Sequence, residues 1–234
     1  MELPIILCLR ALIRKLDDVF KNTCNKVYVM NPELENDLKA VLCLTIEEEL
    51  IPAFYVLLSQ GFTVKVRVGC TMRELLQRQL GLSADYIEQR LQTIFLDGKA
   101  VDNIDTAVVR NGSTLALSAA MPGLAGATLR RGGAYASMRS QISHGKSKLS
   151  DHIKEGELVL KLFNLVAREL GPMFLAKGVW LKGKSLQGFL QKAPDSFQAG
   201  CRAAELNGQP LDIDSLDKLE WDQQEIFVTV KKTL

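Results

Sequence analysis

One heptapeptide pattern occurs twice in this chain, about a hundred residues apart, and that repeat constrains the fold more than any other feature. Leu96-Asp97-Gly98-Lys99-Ala100-Val101-Asp102 aligns with Leu206-Asn207-Gly208-Gln209-Pro210-Leu211-Asp212. Downstream, Thr114-Leu115-Ala116-Leu117 aligns with Ile226-Phe227-Val228-Thr229, and upstream Thr71-Met72-Arg73-Glu74-Leu75-Leu76-Gln77 aligns with Ser185-Leu186-Gln187-Gly188-Phe189-Leu190-Gln191. Two copies of one small domain are expected, with Thr71 matched to Ser185 and Gly98 to Gly208.

The rest of the 234 residues divides around that repeat. Residues 1–51 read as a helical N-terminal extension. Leu9, Leu12, Ile13, Leu16 and Phe20 fall at helical spacing, and Asn31-Pro32 can start a second helix with Leu34, Leu38, Val41 and Leu42 on its apolar side. Pro52 is its expected end.

Residues 52–121 form the first copy. Phe54 to Leu58 and Phe62 to Val68 are expected as the arms of a hairpin around Ser59-Gln60-Gly61. Thr71 and Glu74 make a capping box for a helix that buries Met72, Leu75, Leu76 and Leu80. A short helix from Ser83, a strand over 92–96, turns at Asp97-Gly98 and Asn111-Gly112, and a strand over 114–120 complete the copy. Residues 151–234 repeat the order. Strands are expected over 158–163, 174–182, 203–207 and 225–231, with a helix opened by Ser185 that buries Leu186, Phe189 and Leu190. The order ββαββ is the β-grasp plan, so the fold class is α+β, with two β-grasp domains in tandem.

Residues 122–150 separate the copies. They contain Pro122 and several glycines, and no acidic residue occurs from Thr106 to Ser150. A basic, loosely packed linker is expected, with Arg130, Arg131 and Arg139 as candidate contacts for an anionic partner.

The first copy resembles the sulfur carriers of molybdopterin and thiamine synthesis and, through them, ubiquitin. The resemblance rests on Ile94-Phe95-Leu96-Asp97-Gly98-Lys99, on Asn111-Gly112-Ser113-Thr114-Leu115-Ala116-Leu117, and on Leu129-Arg130-Arg131-Gly132-Gly133, which is similar to the diglycine tail of such proteins. It implies a carrier or modifier whose tail carboxylate, at Gly132-Gly133, is adenylated by an activating enzyme. Here about a hundred residues follow Gly133, so its carbonyl is a peptide carbonyl and carrier chemistry requires cleavage there. Uncleaved, ubiquitin-like domains imply a non-catalytic module that binds a partner protein.

Other chemistry finds less support. Lys and Arg number 29 against 27 Asp and Glu, which provides no global field for nucleic acid. The apolar run after Met1-Glu2-Leu3-Pro4 is too short to span a membrane. Five cysteines with no C-x-x-C spacing point to buried thiols in a reducing cytoplasm. His144 and His152 lack neighbouring ligands at metal spacing, so no metal or cofactor is expected. Gly178-Val179-Trp180-Leu181-Lys182-Gly183-Lys184-Ser185 fits the G-x-x-x-x-G-K-S form, which leaves nucleotide binding as an alternative. Its bulky spacer reads as a strand, which cannot wrap a phosphate with backbone amides.

Overall fold

The computed structural model describes residues 40–145, 153–193, 195–221 and 225–233. The apolar stripe from Leu9 to Phe20, the cap at Asn31, and Leu34 and Leu38 lie outside the described residues.

The described chain opens with a strand, β1 (Val41–Ile46), which buries Leu42, Leu44 and Ile46 and leaves Val41, Cys43 and Thr45 half-buried. This corrects the helix expected as far as residue 51. Val41 and Leu42 continue a helical spacing, but 41–46 also alternates with period two. Val, Thr and Ile are stiff at χ1 and fit a pleated sheet better than a helix. Pro52 sits inside a 3-10 turn, Glu48–Phe54, that leads into α1 (Tyr55–Gln60). The first arm of the expected hairpin is therefore helical. Phe54, Leu57 and Leu58 are fully buried at i, i+3 and i+4. Gly61, at φ 120°, ends the helix and admits the chain to β2 (Phe62–Val68).

Thr71 caps α2 (Met72–Glu74) by accepting from the Glu74 N–H, and the helix continues as a π turn over Leu75–Gln79. Ser83 likewise caps α3 (Ala84–Gln89). Then come β3 (Thr93–Leu96), β4 (Lys99–Ala100), β5 (Thr114–Ser118) and α4 (Gly123–Leu129). After a 3-10 turn, Ala136–Ile142, the chain runs through β6 (Lys154–Phe163), α5 (Asn164–Lys177), β7 (Val179–Lys182), α6 (Gly183–Leu190) and α7 (Asp195–Gly200). β8 (Cys201–Leu206), β9 (Gln209–Leu211), a 3-10 turn at Ile213–Ser215 and β10 (Glu225–Lys232) complete it.

The strand expected over 174–182 is thus the end of α5 followed by β7. The cap match also fails, since α6 starts at Gly183 after Lys182 and Ser185 lies inside it. β7 has four residues where β2 has seven, so its helix begins sooner.

The element order strand–helix–strand–helix–helix–strand–strand–strand occurs twice, from β1 to β5 and from β6 to β10. The two series do not build separate sheets. All ten strands join one sheet in the order β4-β3-β5-β6-β2-β7-β10-β1-β8-β9. The protein is a mixed α+β structure, and each series lends its first strand to the other half. β6 lies between β2 and β5, and β1 lies between β10 and β8.

The halves meet at one antiparallel bridge, Thr63 opposite Trp180. Going outward from it, the pairings match in sense: β2–β6 and β7–β10 antiparallel, β6–β5 and β10–β1 parallel, β5–β3 and β1–β8 antiparallel, then the β3–β4 and β8–β9 hairpins. β1 is therefore the spatial counterpart of β5, and β10 of β6. Local bonds bear this out. The Thr114 N–H donates to Asp97 Oδ1 at 2.7 Å while the Asp97 N–H donates to the Thr114 carbonyl at 2.9 Å. The Val41 N–H donates to Asn207 Oδ1 at 2.9 Å while the Asn207 N–H donates to the Val41 carbonyl at 2.8 Å. The sequence match of 114–117 with 226–229 holds in chain order and is corrected in space.

Gly98 and Gly208 do match. Asp97-Gly98 has φ 51° and 77°, and Asn207-Gly208 has φ 52° and 77°. Two successive positive φ values are what a two-residue hairpin needs to follow the strand twist. One continuous core lies under one face of the sheet. Phe54 contacts Phe189 and Phe197, and Phe62 contacts Phe174, which ties the 3-10 turn before α1 together with α5, α6 and α7 to the same side.

Candidate functional site

Among the described residues, the second face of the sheet, called here the open face, carries the side chains that alternate with the core. Alternation puts Leu158, Leu160 and Leu162 of β6 in the core and turns Val159, Lys161 and Phe163 outward. In register across six strands, Thr114, Val159, Thr63, Trp180, Phe227 and Val41 form one row on this face. Trp180 rests on Phe227 with ring centroids 5.0 Å apart, and Lys65 Nζ lies 5.5 Å from the Trp180 ring. A glycine makes room for the row on each side. A Cβ on Gly61 would meet Val159 Cγ1 at 2.8 Å, and one on Gly178 would meet the Phe227 ring at 2.1 Å, far inside van der Waals contact. Both glycines also hold positive φ, 120° and 95°.

The halves differ beyond this row. In the first half the open face carries a cavity of about 610 Å³ lined by Phe95, Gly98, Thr114, Ala116, Ser118, Met121, Lys161, Phe163 and Asn164. The register places Glu205, Cys43, Thr229 and Lys231 where the first half has Phe95, Ala116, Lys161 and Phe163. The same sheet is thus built with polar side chains at those positions in one half and with an apolar hollow in the other. Asn164, at φ 53°, donates from Nδ2 to Ser118 Oγ at 3.1 Å on the cavity wall. Sequence reading missed Phe95, Lys161 and Phe163. Their signal was present as aromatic and basic residues at outward positions of alternating strands.

The sheet's edges are poorly suited to accept another strand. β4 has two residues, and Ser143 bridges Ala100 on its outer side. β9 has three, one of them Pro210.

The residues singled out on the linker are engaged within the chain. Arg139, with a side chain 3% exposed, donates to Asp102 Oδ1 at 2.6 Å, to the Thr128 carbonyl at 2.6 Å and to Ser143 Oγ at 2.8 Å. Arg131 pairs with Glu88 at 2.8 Å, and Arg130 donates to Gln92 Oε1 at 2.6 Å. The Gly132 N–H also donates to Asp102, at 3.1 Å, and the Gly133 N–H donates to the Arg130 carbonyl. Gly126 of α4 packs on the Met121 backbone, where a Cβ would sit 1.9 Å from the carbonyl oxygen. Residues 122–145 are folded against the β3–β4 hairpin, in place of the loosely packed linker expected there.

The G-x-x-x-x-G-K-S stretch is β7 and the first turn of α6, with Trp180 and Leu181 buried as strand residues. Burial pushes the Cys70 thiol up, with Glu74 adding to the effect, and burial also pushes up Cys201. Cys43 is half-buried, 3.5 Å from Thr229 Oγ1, and Cys8 and Cys24 lie outside the described residues. His152 lies outside them too, while the His144 N–H donates to the Ala100 carbonyl. Among the described residues no three His, Cys, Asp or Glu side chains cluster as a metal site, and no helix is long and apolar enough to cross a membrane. Comparison with protein-family models, with curated proteins and with solved structures finds no match to this chain.

Proposed function

We propose that the protein is a non-catalytic interaction module made of two β-grasp halves, and that it binds a partner protein on the open face of its sheet. The β-grasp reading is supported by the sequence β2-β6-β5-β3-β4, in which a central parallel pair is flanked by antiparallel neighbours and a helix follows the first strand. In this reading each half is a β-grasp that borrows one strand from the other series, β6 in the first half and β1 in the second.

The observation that carries the binding role is the half-exposed row of Val159, Phe227 and Val41 around the buried Trp180. An aromatic ring half-exposed beside aliphatic neighbours, as Phe227 is here, belongs to the class of side chains that dominate protein interfaces. The short, covered or proline-bearing edges favour the face over strand addition as the contact. The carrier alternative requires cleavage after Gly133 and release of a segment pinned through Asp102 and Arg139.

The test is affinity purification of the tagged protein from its source cells, with Phe227→Glu and Arg78→Glu variants in parallel. A protein retained by wild type and by Arg78→Glu, on the helical side, and lost with Phe227→Glu is the expected result. Partners that bind all three equally, or a chain isolated as a species ending at Gly133, would contradict it.

A further inference from the structure

We infer that the cavity on the first half of the open face is a binding site for a small apolar monocarboxylate, separate from the docking of a protein. Three observations lead there. The volume of about 610 Å³ falls in the range of small-ligand pockets, roughly 300–1,000 Å³. Its walls are mostly apolar, from Phe95, Ala116, Met121 and Phe163, with a few convergent polar groups. The matching positions of the second half are Glu205, Cys43, Thr229 and Lys231, so the sheet itself does not demand an apolar hollow.

Charge decides the class of ligand. Among the described residues, Lys161 is the one charged side chain on the cavity lining, and its aliphatic stem lies over Gly61, where a Cβ would come within 3.2 Å of Cε. A single ammonium on an apolar wall complements a single negative charge. A phosphate monoester carries more charge and is met by an arginine fork, which this lining lacks. Ser118 accepts from Asn164 Nδ2, which leaves its own proton to give to a carboxylate oxygen, and Thr114 offers a second hydroxyl on the wall. α5 also begins at this wall, at Asn164, with no side chain capping its first N–H groups, so the helix dipole adds to the positive potential there. The apolar tail then packs between Phe95 and Phe163.

Decanoate, decan-1-ol and decyltrimethylammonium are the probes, titrated calorimetrically into the full chain below micellar concentrations. Decanoate is expected to bind saturably, and Lys161→Gln to weaken it by about tenfold while leaving decan-1-ol unchanged. Ala116→Leu, which fills the hollow, should abolish binding of both. If Ala116→Leu does not fold, Lys161→Gln still decides, because Lys161 is half-buried on the open face and its loss leaves the core intact. No saturable decanoate binding by folded wild type would overturn the inference. So would equal binding of decyltrimethylammonium, or unchanged affinity in Lys161→Gln. A peptide ending in a free phenylalanine carboxylate that displaces decanoate at far lower concentration would replace the small-molecule ligand with a polypeptide end. Because these are binary titrations, their failure leaves the protein-docking reading intact, and loss of partner capture leaves the titrations intact.

Discussion

Single residues at the sheet's centre bear more strain than their size suggests. Gly178 holds φ 95° directly under the Phe227 ring, so a methyl group there meets both a backbone penalty and a clash. Gly178→Ala should lower stability by about 2–4 kcal/mol, read from the urea midpoint. Adding Phe227→Ala should return the part due to the clash and leave the part due to φ. Tyr86 provides a second test. Burial raises its phenol well above the usual tyrosine range, and its hydrogen bond to Glu169 at 2.8 Å acts in the same direction. A raised folded-state value means the neutral phenol is favoured by folding. Its contribution is fully present below the unfolded tyrosine value of about 10 and fades as pH climbs toward the folded one. Titration of phenolate absorbance should therefore show tyrosine ionising above the usual range, and Tyr86→Phe should reduce that late component.

Elements report the same physics through caps, turns and pinned segments. Leu76 and Leu190 lie in the core beneath their helices, and truncating either to Ala should cost about 2–5 kcal/mol. The 122–145 segment hangs on Arg139. Replacing Asp102 with Ala leaves a buried guanidinium without its carboxylate and removes the acceptor for Gly132. The expected loss is about 3 kcal/mol, with limited proteolysis shifting to sites between 122 and 145. Much of this scale was legible in the sequence. Thr71 and Ser83 announced their helices, and Asp97-Gly98 and Asn207-Gly208 announced their hairpins, because caps and turns are fixed by a few adjacent residues. Val41–Ile46 and Tyr55–Gln60 were misread because short apolar runs satisfy both helical and strand periods. Arg139 was misread because its partner, Asp102, lies 37 positions away and only the folded chain brings them together. The cavity was invisible for the same reason. Phe95, Ala116 and Lys161 come from three strands whose neighbour relations the repeat alone did not reveal.

At the scale of the whole molecule, the repeat is seen as an element order that occurs twice, while one ten-stranded sheet stands where two separate domains were expected. β6 stands between β2 and β5, so residues 52–121 alone lack the strand that joins them. Residues 62–163 contain all five strands of the first half. A fragment of 52–121 is expected to stay unfolded by circular dichroism, and a fragment of 62–163 to gain sheet structure. One consequence of the shared sheet is that, among the described residues, its second face runs across both halves, and binding on that face is the central claim. The direct measurement is in-cell photo-crosslinking with a benzophenone amino acid at Thr63, beside Trp180 at the centre of the face, and in a second variant at Arg78 on the helical side. The account predicts a discrete adduct with another protein from position 63 and none from position 78. Adducts from position 78 alone would contradict it.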